Sequence, residues 1–107
     1  MRRLLLFLFL LATPVAGAWL AAQAPVHIVI MHTNDLHGAL LPRNGVGGMA
    51  QIATLIKRAK PDLVLDAGDI STGTFLADEF KGEPTIRAMN EIGYSAGTIG
   101  NHEFDYG

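Results

Sequence analysis

Hydrophobic and polar positions follow two rhythms from residue 26 onward. Residues 26–31 (Val-His-Ile-Val-Ile-Met) form a short, apolar, β-branched run. Such a run predicts a strand buried on both faces, as in parallel sheets. From residue 49 to about 60, Met49, Ile52, Ala53, Leu55, Ile56 and Ala59 recur at helical spacing. Lys57, Arg58 and Lys60 in the last turns suit the helix dipole, and Pro61 stops the helix. Residues 63–67 predict a second strand and 68–73 a tight loop. Helix follows in two pieces, 74–80 and 84–92, broken near Gly82. Pro84 fits a first helical turn, and Met89 and Ile92 share a face with Thr85. Residues 95–99 predict a third, weaker strand, after which Gly100 turns the chain.

Strands alternating with helices predict an α/β fold of order β-α-β-α-β, with a parallel sheet and right-handed crossovers. Three strands and two helices leave one apolar sheet face uncovered, so the chain reads as the first part of a larger α/β domain. Ahead of it, Arg2 and Arg3 precede the apolar run 4–11. Pro14 and the small-residue steps Ala16-Gly17-Ala18 and Ala22-Gln23-Ala24 follow. This is the pattern of a secretory signal peptide. The expectation is therefore a signal peptide over 1–24, cleaved after Ala18 or Ala24, and a domain portion over 25–107. The product would be exported to a periplasm or beyond the cell, meeting the membrane only transiently. The competing reading is a membrane anchor, since residues 4–22 approach the ~20 apolar residues a span needs, although Thr13, Pro14 and Gly17 interrupt them.

Composition narrows the chemistry. A chain of 50% hydrophobic and 17% charged residues is not a disordered one. A formal net charge of −2 provides no field for a nucleic acid polymer. The absence of Cys excludes disulfides, thiolate zinc sites and a Cys nucleophile. Any metal must rest on His, Asp, Glu or Asn.

Those residue types gather after the three strands, as Asp35-Leu36-His37, Gly68-Asp69 and Gly100-Asn101-His102-Glu103-Phe104-Asp105. The carboxyl ends of parallel strands share one edge, where ligands bind. Asp35, His37, Asp69, Asn101, His102 and Asp105 are therefore expected to converge. Asp35 and His37, two apart, would point the same way in an extended segment. Asp69 can offer one oxygen to each of two ions, and Asn101 offers an amide oxygen. Imidazole, carboxylate and amide suit Mn, Fe, Zn, Co or similar ions. Two divalent ions would offset the mutual repulsion of Asp35, Asp69 and Asp105 and attract a phosphate.

The remaining polar residues have plainer readings. His27 is expected to be structural within the first strand, and His32 structural at the border of the site. Asp66 is expected to bond nearby backbone. Ser71, Thr72 and Thr74 are read as helix caps, and Glu103 as a cap or surface residue. Gly45-Val46-Gly47-Gly48 lacks the spacing and Lys of a phosphate loop and reads as a turn.

Asp35-x-His37, Gly68-Asp69 and Gly100-Asn101-His102-Glu103 together resemble the calcineurin-like metallophosphoesterase pattern. The wider wording His32-Thr33-Asn34-Asp35-Leu36-His37-Gly38 and Gly100-Asn101-His102-Glu103-Phe104-Asp105 resembles the secreted bacterial 5′-nucleotidase and 2′,3′-cyclic phosphodiesterase branch. The resemblance implies a four-layer α/β/β/α domain, of which this chain is the N-terminal portion, and a nucleotide phosphate ester as substrate. It implies two divalent metals, with Asp35 and His37 on the first, Asp69 bridging, and Asn101 on the second. His102 is then not a ligand. It assists at the phosphate or leaving group, with Asp105 orienting it, while activated water attacks phosphorus in line. The family completes its site with a further single His and a His-x-His pair, and this branch holds the nucleoside on a separate domain. Beyond residue 37 this chain has only His102. The chain is therefore expected to be an incomplete piece, inactive alone. The alternatives are a cyclic phosphodiesterase or sulfur-ester hydrolase of the same fold, or a non-catalytic secreted remnant that binds metal.

Overall fold

The computed structural model describes residues 24–107. The signal-peptide and anchor readings lie outside the described residues. Three strands, β1 (Ile30–Thr33), β2 (Leu63–Asp66) and β3 (Ala96–Gly97), form one parallel sheet in the order β1-β2-β3. Helix α1 (Met49–Ala59) joins β1 to β2, while α2 (Phe75–Glu79) and α3 (Glu83–Ile92) join β2 to β3. A short 3-10 turn, His102–Phe104, follows. This is the expected β-α-β-α-β order.

Local chemistry sets the helix ends. Lys60 takes a left-handed conformation (φ 48°) immediately before Pro61, and its N–H bonds Ile56 O at 2.9 Å. Thr74 caps α2 by accepting the N–H of Ala77. Gly82 separates α2 from α3, Pro84 sits in the first turn of α3, and Gly93 closes it. Gln51 ties the glycine turn before α1, accepting from Gly47 N–H and donating to Gly45 O. Ser71 departs from expectation. Its hydroxyl donates to Glu103 and caps no helix.

The strands differ from expectation in extent. β1 starts at Ile30, four residues later than anticipated, because β2 begins only at Leu63. Val29 marks the boundary: its N–H bonds the Asp62 carboxylate at 2.7 Å and its carbonyl receives the Asp62 N–H at 2.8 Å. Residues 26–28 then have no strand beside them. His27 accordingly stands before the strand and is exposed rather than built into it. β3 is likewise short, pairing only with Leu65 and Asp66.

Nor is β1 buried on both faces. The register places Met31, Thr33, Val64 and Asp66 toward the helices, where Val64 and Asp66 are buried. Ile30, His32 and Leu63 share the other face, with Ile30 53% and Leu63 40% exposed. The described residues hold a single helical layer, so this second face stays open. The core lies on the covered side, where Leu36, Met49, Ile70 and Met89 pack with Leu40, Ile52, Ile92 and Tyr94. Asp66 anchors the β1–β2 exit. Its Oδ1 accepts the Gly68 N–H at 2.8 Å and its Oδ2 the Thr33 hydroxyl, which also meets Tyr94 OH at 2.9 Å. Asp66 thus bonds backbone as expected and stiffens the strand ends that carry the polar loops.

Candidate metal centre

The loops after β1 and β2 continue side by side beyond the ladder. Asp35 N–H bonds Gly68 O at 3.0 Å, His37 N–H bonds Asp69 O at 2.9 Å, and Gly38 N–H bonds Ile70 O at 2.9 Å. Asp35 and His37 do converge, with Asp35 Oδ1 3.6 Å from His37 Nε2. The reason differs from an extended segment, however. Asp35 (φ 51°), His37 (φ 45°) and Asp69 (φ 57°) are all left-handed. Such backbone is uncommon outside glycine and persists where the surroundings over-determine it, typically at functional sites. Asn34 donates its side-chain amide to the other Asp35 oxygen.

The third loop closes on the second. The His102 N–H bonds Asp69 Oδ1 at 3.0 Å. The His102 and His37 rings stand edge to face, 5.1 Å between centroids. His37, Asp69 and His102 each present a ligand atom, all within 4.8 Å of one another. Bonds of about 2 Å to a shared ion would put two ligands at most about 4 Å apart. Three atoms sharing one ion must lie closer together than this, so the group would have to draw in to bind one, and two imidazoles with a carboxylate suit a borderline divalent metal. Asn101 stands exposed at the head of the 3-10 turn, next to His102. Asp105 Oδ2 lies 2.8 Å from His102 Nδ1, which must donate because a carboxylate only accepts. This hydrogen bond raises the His102 pKa above its ordinary value. Desolvation opposes the rise, and the charges of Asp105, Asp69 and Glu103 add to it.

Close backbone approach decides two glycines. A side chain on Gly68 would lie 2.6 Å from the backbone nitrogen of Gly100. One on Gly100 would collide with the Asp69 carboxylate and lie 2.6 Å from the Asp69 backbone nitrogen. Gly100→Ala is therefore expected to destabilise the protein by about 1–3 kcal/mol and to weaken divalent-metal binding. Thermal melting and metal titration check this; unchanged values for both would refute the close packing of the two loops.

Glu103, read from sequence as a cap or surface residue, is instead half-buried between loops. It accepts backbone N–H groups from Asp69, Ile70, Ser71 and Gly100, and the Ser71 hydroxyl. Desolvation acts to raise its pKa, but these hydrogen bonds win and hold it down to about 2. Its main partners lie 32–34 residues away, so no local pattern could reveal it.

Residues 28–107 match the family model described as calcineurin-like phosphoesterase. The chain is 41% identical over 104 residues to a Bos taurus 5′-nucleotidase, covering 83% of this chain and 18% of that protein. It is 40% identical to protein UshA of Escherichia coli, covering 94% of this chain and 20% of UshA. Among solved structures, Haemophilus influenzae NAD nucleotidase matches with a TM-score of 0.67 at 38% identity, over 76% of this chain and 17% of that one. The calcineurin-like phosphoesterase YfkN from Bacillus subtilis matches at 0.65 and 30%, over 77% and 31%. The chain thus spans about a fifth of the length of the curated relatives it matches.

Proposed function

The chain belongs to the calcineurin-like phosphoesterase family, and on that premise we propose that it is the N-terminal part of an exported 5′-nucleotidase that uses two divalent metals. The observation that carries the reading is the convergence of His37, Asp69 and His102 from three separate strand ends. Identity of about two-fifths to proteins named 5′-nucleotidase favours a nucleotide over other phosphate esters. Export rests on the pattern of residues 1–24.

In this reading Asp35, His37, Asp69 and Asn101 would hold the two metals, with Asp69 the residue shared between them. When bound, the ions would supply positive charge to the phosphoryl oxygens and favour deprotonation of water. The chain's own residues do the rest. Asp105 fixes the His102 ring through Nδ1 and leaves Nε2 for the substrate. A protonated His102 then donates a hydrogen bond to a phosphoryl or leaving-group oxygen as charge develops there. The left-handed backbone at Asp35, His37 and Asp69 aims donors before substrate arrives.

Three experiments test this. Reading the coding frame past Gly107 should reveal a lone His and then a His-x-His; a stop codon there would remove the catalytic reading for this chain. The full-length product should hydrolyse AMP, lose activity to a chelator and regain it with Mn2+. The panel should include 2′,3′-cyclic AMP, NAD and a sulfur ester. Preference for any of these over AMP would reassign the substrate, and chelator-resistant hydrolysis would overturn the metal reading. Sequencing the N-terminus of the exported product decides between cleavage after Ala18, after Ala24, or not at all.

A further inference from the structure

Glu103 commits both carboxylate oxygens to the backbone that carries Asp69. Its Oε2 accepts the N–H of Asp69 at 2.9 Å and of Gly100 at 2.6 Å. Its Oε1 accepts the N–H of Ile70 at 2.6 Å and of Ser71 at 3.2 Å, and the Ser71 hydroxyl at 3.1 Å. Asp69 takes a left-handed conformation, φ 57°. Successive N–H groups around such a residue turn to one side and form a concavity that takes an anion. In many proteins that anion is a ligand; here it is a side chain of the same chain. With the concavity filled from within, the Asp69 carboxylate stays out of it, and its Oδ1 receives the His102 N–H at 3.0 Å. Glu103 and His102 are consecutive on one 3-10 turn. A single turn therefore holds both the Asp69 backbone and its carboxylate.

We propose that Glu103 is a positioning residue for Asp69: its carboxylate serves as the built-in anion of the 69–71 backbone and sets the direction in which Asp69 faces the metal group. This rests on the metal reading of Asp69 given above. Metal affinity then depends on a carboxylate whose oxygens are already taken by five hydrogen-bond donors. A loop tie with no such role would affect stability alone.

The test uses the full-length protein stripped of metal, with Glu103→Gln and Glu103→Asp. Gln fills the same volume but presents an NH2 to one pair of backbone N–H groups. Asp keeps the charge on a shorter arm. Mn2+ is titrated calorimetrically below the melting temperature of each variant. Glu103→Gln is expected to raise the Mn2+ dissociation constant by about ten- to a hundredfold, with Glu103→Asp between it and wild type. In the metal-free state the Asp69 side-chain carboxyl carbon resonance is expected to move along with the amides of residues 69–71 and 100. Folded Glu103→Gln that binds Mn2+ as wild type does overturns the proposal. If Glu103→Gln fails to fold, wild-type affinity in Glu103→Asp overturns it equally. If the wild-type protein binds no Mn2+, the metal reading falls separately. The Asp69 carboxyl resonance then decides: movement on substitution upholds the positioning role, and none overturns it.

Discussion

Asp69→Asn is expected to reduce phosphoester hydrolysis by the full-length protein on the order of a thousandfold while leaving the fold in place. Asn is close to Asp in shape, tolerates left-handed backbone, and keeps an oxygen for the His102 N–H that Asp69 Oδ1 now accepts. What disappears is the charge and one oxygen, the part assigned to metal. Metals at such a site contribute several kcal/mol of charge stabilisation, and each ~1.4 kcal/mol is tenfold in rate. The measurement is kcat/KM on AMP beside metal content and melting temperature. A rate near wild type with full metal would remove Asp69 from the ligand set. A lost rate with a collapsed melting temperature would instead mean that the residue matters mainly to the loop.

That Asp69 could be expected beside the other strand-end residues follows from topology. A parallel sheet brings the ends of β1, β2 and β3 to one edge, so residues directly after each strand must meet there. The helix limits were legible for a local reason: Pro61, Thr74, Gly82 and Pro84 act on their immediate neighbours. Long-range features were not. The start of β1 depends on Asp62 meeting Val29 across 33 positions. The backbone that aims Asp35 and His37 is set by stitching to residues 68–70, and not by their spacing of two. Glu103 was underrated for the same reason, since a glutamate beside a histidine carries no sign of the N–H groups that await it on another loop. The open sheet face was legible from the count of strands and helices, and it overrides the both-faces reading of residues 26–31, since the described residues supply only one helical layer.

His102 is where family pattern and geometry pull apart, and His102→Ala resolves the difference. The pattern treats it as a group acting on the phosphate; the geometry places its ring in the same trio as His37 and Asp69. If it acts on substrate, the variant loses about 10²–10⁴ in kcat, the usual worth of a positioned acid or base, while Mn2+ affinity stays near wild type. Asp105→Asn should then cost less, because the ring remains and only the partner that orients and charges it is weakened. If His102 is a ligand, Mn2+ affinity falls together with the rate, and Asp105→Asn weakens binding too, as loss of a ligand's hydrogen-bond partner does. The 2.8 Å bond at Nδ1 leaves Nε2 open in both cases. The paired measurement of kcat and metal affinity is therefore what assigns that nitrogen. Retention of both values in His102→Ala would exclude His102 from the chemistry altogether.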